Sequence, residues 1–137
     1  MTSILIVEDE PSIRENLAEI LHFSGYTPLT AADGIEAELL LETNTPDLIL
    51  CDVMMPNRDG FELLALVRQH PTLFDVPFIL LTARSDPKDM RQGMNLGADD
   101  YLIKPFEIGE LIQTVGMRLS MSRRASRLGL ANGLPLV

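Results

Sequence analysis

The sequence predicts an α/β domain built as a doubly wound parallel sheet of five strands with five helices. Short apolar runs of strand length alternate five times with stretches whose apolar residues recur at helical spacing. The connections between them are short, which suits parallel strands joined by right-handed helical crossovers. A length of 137 residues, 46% of them hydrophobic, fits one domain with a substantial core.

Ser3 to Val7 is the first strand and ends in Glu8-Asp9-Glu10. Pro11 opens a helix with Ile13, Leu17, Ile20 and Leu21 on one face, and Gly25 closes it. Tyr26 to Thr30 reads as the second strand. Asp33, with Glu36 three residues on, starts a second helix through Leu39, Leu40 and Leu41. Leu48 to Cys51 is the third strand; it delivers Asp52 and breaks into a loop bounded by Pro56 and Gly60. Asp59 and Glu62 repeat the capping pattern ahead of Phe61, Leu64 and Val67, and that helix stops at His70-Pro71.

Val76 to Leu81 is the fourth strand, with Pro77 tolerable only near its start. Ser85-Asp86-Pro87 starts a fourth helix, which runs past Met90 and Met94 to Gly97. Asp100 to Ile103 is the fifth strand and leads into Lys104-Pro105. Ile108, Leu111, Ile112, Val115 and Leu119 mark the fifth helix. Strands one, three and four are the most continuously apolar, as central strands covered on both faces are. Residues 1–119 therefore form the domain. Residues 120–137, with Arg123, Arg124 and Arg127 and then Gly129, Asn132, Gly133 and Pro135, read as a helix extension fading into a linker. The alternative is a fifth helix that continues through Leu128 as a coupling or dimer helix.

Composition excludes several classes. The formal net charge is −9, and residues 1–117 hold seven basic against all twenty acidic residues, so direct nucleic-acid binding by the folded part is not expected. No apolar stretch approaches the ~20 residues that span a bilayer, and no signal peptide opens the chain, which predicts a cytoplasmic protein without a membrane partner. The single Cys51 lies in an apolar run, as suits a reducing compartment.

In an open parallel sheet the loops beyond the C-terminal strand ends line one edge, where ligands bind. Glu8 and Asp9 follow strand one, Asp52 ends strand three, Thr82 follows strand four and Lys104 follows strand five. Three converging carboxylates repel one another, so either their pKa values rise or a divalent cation settles among them. An all-oxygen site suits Mg²⁺, with Mn²⁺ as a substitute. The loop after strand one offers Glu8-Asp9-Glu10 where a nucleotide fold needs bare glycine amides, so nucleotide binding is disfavoured. Lys104 and Thr82 add a cation and a hydroxyl, which favour a phosphoryl group on one of the carboxylates. Asp52 is the best nucleophile, since a carboxylate attacking phosphorus forms an acyl phosphate.

Glu8-Asp9, Asp52 with Met54-Met55-Pro56 and Gly60, Thr82-Ala83, and Tyr101 with Lys104-Pro105, in this order and spacing, resemble the receiver domain of two-component response regulators over residues 2 to about 119. The resemblance implies a flavodoxin-like fold with strand order 2-1-3-4-5. It implies phosphorylation of Asp52 by a histidine kinase or histidine phosphotransfer protein, with Mg²⁺ held by Asp9, Asp52 and the backbone carbonyl of Met54. Glu8 would act through metal-bound water, and Thr82 and Lys104 would contact the phosphoryl group. The Lys104-Pro105 peptide is expected to be cis. Thr82 and Tyr101 match the family's switch pair, which would alter the face of the fourth helix, fifth strand and fifth helix toward an output domain, an effector protein or a second copy in a homodimer. Met54 and Arg84 flank the site and would govern water access to the acyl phosphate.

The blander alternative makes Glu8, Asp9 and Asp52 helix-start and turn acids, favoured by dipoles alone. The joint register with Thr82 and Lys104 speaks against it. His22 and His70 lack spaced partners and read as surface or packing residues. An aspartate-nucleophile phosphohydrolase similar to the haloacid dehalogenase group would need a general acid two residues past Asp52, where Met54 stands. A receiver-like module that binds partners without phosphorylation is the third reading.

Overall fold

The computed structural model describes residues 1–83 and 87–122, together with the backbone of 130, 131, 134 and 135. Five strands form one parallel sheet in the order β2-β1-β3-β4-β5: β1 (Ser3–Val7), β2 (Thr27–Ala31), β3 (Leu48–Asp52), β4 (Phe78–Thr82) and β5 (Asp100–Ile103). Helices α1 (Pro11–Phe23), α2 (Gly34–Thr43), α3 (Gly60–Gln69), α4 (Pro87–Asn95) and α5 (Ile108–Ser120) follow the strands in turn. This is the flavodoxin-like doubly wound arrangement. The strand order reverses at β1, with β2 on one side and β3 on the other, so a crevice opens between the C-terminal ends of β1 and β3.

Side-chain alternation divides the core in two. Leu5, Val7, Ile49, Cys51, Phe78 and Leu80 pack against Ala37 and Leu41 of α2 and Leu63, Leu64 and Val67 of α3. Ile4, Ile6, Leu48, Leu50, Ile79 and Leu81 face the other way, onto Leu17 and Leu21 of α1 and Leu111 and Val115 of α5. The same parity, carried to Asp52 at the end of β3 and one residue beyond the ends of β1 and β5, points Glu8, Asp52 and Lys104 toward the α1–α5 side.

The helix ends follow local chemistry. After α1, Gly25 at φ +95° donates to the His22 carbonyl and Tyr26 to the Leu21 carbonyl, the double bond of a Schellman stop. Gly97 and Ala98 repeat it after α4, on Met94 and Gly93. These stops also explain a one-residue shift: Tyr26 belongs to the end of α1, so β2 begins at Thr27. β4 begins at Phe78, two residues later than the pattern suggests. Val76 is held in a turn by its bond to the Leu73 carbonyl, and Pro77 has no N–H to give a ladder.

Asp59 and Glu62 form a reciprocal capping box at the start of α3. At α2 only half of one forms: Asp33 accepts from the Glu36 amide, whereas Glu36 reaches the Ala32 amide. The expected start of α4 at Ser85-Asp86 lies outside the described residues, as do Arg84 and the tail's arginines. α5 ends at Ser120, with Met121 as its cap. Where a linker was expected, β6 (Leu130–Ala131) and β7 (Leu134–Pro135) pair antiparallel.

Candidate functional site

β1 and β3 lie side by side with Val7 opposite Cys51, so the residues that follow each meet at the crevice. Glu8 and Asp52 are both buried there, while Asp9 is exposed at its rim. Lys104, one residue beyond β5, reaches across: its ammonium donates to Glu8 Oε1 and, at 2.8 Å, to Asp52 Oδ2. The other oxygens are also engaged, Asp52 Oδ1 by the Met54 amide at 3.1 Å and Glu8 Oε2 by the Glu10 amide at 3.2 Å. The Lys104–Pro105 peptide, just past this contact, is cis.

Burying acids is costly, and the cost registers on Glu8. Desolvation pushes its carboxyl up to about 7; the nearby Asp52 charge adds to the rise, and the bond from Lys104 holds it back. Burial alone would pull the Lys104 ammonium down, but its bonds to Asp52 and Glu8 outweigh this and raise it. Burial also pushes the Cys51 thiol well up, so it is an inert core group.

One carboxylate oxygen each from Glu8, Asp9 and Asp52 lies within 4.8 Å of the others. Even with Glu8 protonated, the two carboxylates of Asp9 and Asp52 outnumber the one ammonium, and the donors are all hard oxygens. That donor set fits a magnesium-like cation better than a thiolate- or imidazole-seeking metal.

Thr82 occupies a different position. It is buried and shares the parity of Leu80, so its side chain lies on the α4 side, lining a small, mostly apolar cleft with Val53, Leu80, Asp89, Met90, Met94 and Tyr101. Its carbonyl accepts the Lys104 amide at 2.7 Å, which ties the two strand ends together. Tyr101 stands opposite Leu80 in the ladder, is 36% exposed and also lines that cleft. Met54 is exposed, and Met55 packs into the core below it.

Three further groups support the site: Arg14 and Asn57 escape a sequence reading, whereas Gly60 is read there only as a loop bound and motif residue. Arg14, one turn into α1, donates to the Glu8 carbonyl at 2.9 Å and the Asp9 carbonyl at 3.4 Å, fixing the acidic loop; a cation shortly after an acidic turn is its only signal. Gly60 leaves room for β3, since a Cβ there would sit 2.3 Å from the Asp52 carbonyl oxygen. Asn57, at φ +69°, donates to Asp33 Oδ2 at 2.9 Å and ties the loop after Asp52 to the start of α2.

The profile described as "Response regulator receiver domain" matches residues 4–116. "Response regulator MprA" of Mycobacterium sp. (strain KMS) is 44% identical over 109 residues, 80% of this chain and 46% of its own length. The chain spans about half the length of the curated relatives it matches. Among solved structures, the signal receiver domain of a signal transduction histidine kinase from Syntrophus aciditrophicus superposes with a TM-score of 0.84. It is 40% identical, with 90% of this chain and 94% of that one covered. The receiver domain of sensor histidine kinase PA1611 from Pseudomonas aeruginosa PAO1 superposes with a TM-score of 0.80 at 33% identity. There 86% of this chain and 97% of that one are covered, and that structure has a magnesium ion coordinated in its active site cleft.

Proposed function

The chain belongs to the response regulator receiver family of two-component systems, and from that premise we propose that Asp52 is its phosphoacceptor. The carrying observation is the Lys104 ammonium bridging buried Glu8 and Asp52, with Asp9 beside them, at the sheet's switch point. One Asp52 oxygen attacks the phosphorus of a phosphohistidine on a kinase or histidine phosphotransfer protein. The P–N bond breaks, the imidazole leaves with its electron pair, and an acyl phosphate remains.

Asp9, Asp52 and the Met54 carbonyl would hold Mg²⁺, with Mn²⁺ as a substitute and Glu8 acting at one remove. Such a cation, when bound, offsets the negative charge that gathers on the phosphoryl oxygens. Lys104 is within reach of the same oxygens and supplies a fixed positive charge. The Met54 amide orients the Asp52 carboxylate. In a separate hydrolytic step water attacks phosphorus, the acyl P–O bond breaks and Asp52 leaves as the carboxylate with its electron pair, giving inorganic phosphate, so turnover is limited to the domain's own phosphorylation and loss of phosphate.

Thr82 and Tyr101 share one cleft, which supports their reading as a switch pair. The face they border exposes Met94, Tyr101, Ile103, Ile108 and Ile112, apolar surface suited to an output domain, an effector or a homodimer partner. No helix among the described residues is long and apolar enough to cross a membrane. The free, buried Cys51 suits a cytoplasmic setting.

The test is direct. Incubated with Mg²⁺ and a small acyl phosphate, the protein should gain the mass of one phosphate, and Asp52→Asn should gain none. Equal gain in both would reject Asp52, and repeated turnover with release of inorganic phosphate would favour a hydrolase.

A further inference from the structure

The loop from Val53 to Asp59 carries the groups next to Asp52, and its conformation is set from two sides. On the inner side Gly60 donates to the Val53 carbonyl at 3.0 Å and lies against Asp52, while Met55 packs into the core. The outer side is fixed by α2. Asn57 donates to Asp33 Oδ2 at 2.9 Å, Arg58 pairs with Glu38 at 3.1 Å, and the Arg58 carbonyl oxygen lies 2.6 Å from where a Cβ on Gly34 would stand. Asp33 performs two tasks with its two oxygens, since Oδ1 caps α2 through the Glu36 amide and Oδ2 takes Asn57.

Two features suggest that this contact selects a loop shape at some cost. Asn57 occupies the left-handed region, which costs most residues but is less unfavourable for asparagine. Arg58 Nε is buried and has no partner among the described residues. Strained or unsatisfied groups persist where the surroundings over-determine them.

We propose that Asp33 and Asn57 form a latch that holds the Val53–Asp59 loop in the shape that accepts the cation, making both positioning residues for the metal site. The proposal rests on the reading of Asp52 and its neighbours as a magnesium site. The metal-binding carbonyl assigned to Met54 lies three residues before Asn57, so a closed latch narrows the orientations open to that short stretch. Released, the loop samples other backbone states, and only a fraction of molecules presents the site, which weakens the apparent affinity by that fraction.

The test uses the full chain without a phosphodonor. Asn57→Gly keeps the left-handed backbone accessible and removes the amide; Asp33→Ser keeps a helix-capping oxygen and removes the one that receives Asn57. Magnesium titrations followed through the Val53 and Met54 amide resonances should show each variant binding about fivefold more weakly. The double variant should bind no more weakly than either single one, because both break the same contact. Amide exchange of Met54–Asp59 without metal should quicken in Asp33→Ser.

Single variants that bind as the parent does, or a double variant weakened by the product of the two, would overturn the latch alone. A parent that does not bind magnesium would overturn the site and the latch together.

Discussion

At the scale of the residue, Glu8 carries the clearest electrostatic cost in the molecule. Its carboxyl sits at about 7 instead of 4.5 because folding removes it from water and sets it near Asp52. The folded state therefore holds a proton on Glu8 that the unfolded chain has lost. Stability from this source is complete below about 4.5 and disappears as pH rises through about 7. A shift of this size corresponds to on the order of 3 kcal/mol, or roughly 10 °C in Tm for a chain of this length. In chelator, thermal melts should fall from pH 5 to pH 8, and Glu8→Gln should flatten that slope. A parent profile that is flat or rises over the same window would contradict the assignment. Lys104 does not enter this range, since its pKa is raised from 10.5 and its contribution is lost only in alkali.

At the scale of the element, the join between β3 and α3 decides whether Asp52 is presented at all. α3 starts flush against the strand end, where a Cβ at Gly60 would lie 2.3 Å from the Asp52 carbonyl oxygen and 3.0 Å from Val53 Cα. Both are backbone atoms and cannot swing aside. Gly60→Ala should cost about 1–3 kcal/mol, read as a lower urea midpoint at unchanged slope. Gly109, near the start of α5, meets nothing within 4 Å, so Gly109→Ala should be neutral or stabilising by up to about 1 kcal/mol. Equal effects of the two substitutions would show that contact with β3 is not what matters. Elements of this kind were largely legible beforehand, because their causes are local: Asp59 with Glu62, and the glycines ending α1 and α4, act within five residues. The convergence of Glu8, Asp52 and Lys104 was legible too, since a parallel sheet brings the C-terminal ends of its strands to one edge. Asn57 reaching Asp33, and Arg68 reaching Asp99, span 24 and 31 residues, and no periodicity encodes which polar side chain will find which. The facing of Thr82 follows from parity but becomes visible only once β4 is known to end on it.

At the scale of the whole molecule, the question is how an event at Asp52 reaches the far side of the sheet. α4 contributes one buried residue, Gly93, and its polar sequence gives it a weak hold on the core. Its C-terminal end is nonetheless fixed. Arg68 donates to the Gly97 carbonyl at 2.8 Å, to Val76 at 2.7 Å and to Asp99 at 2.8 Å, and Asp99 accepts the Phe78 amide. The opposite end of α4 begins at Pro87, directly after residues 84–86, which lie outside the described residues. A phosphoryl group on Asp52 that gains bonds from Lys104 and Thr82 contributes roughly 3–6 kcal/mol at charge-assisted strength. A shift from 1:99 to 99:1 needs about 5.5 kcal/mol, so these contacts suffice only near the top of that range. Phosphorylation should therefore move the population at α4 and β5 without displacing the anchored end. Hydrogen exchange should change most at 87–91 and at Tyr101, less at 93–97, and hardly in β1 and β3. Thr82→Ala should remove much of the change while leaving phosphate on Asp52. Uniform change along α4 would mean that the Arg68 clasp is no pivot, and no change at 87–112 would mean that the phosphate is not read through this face.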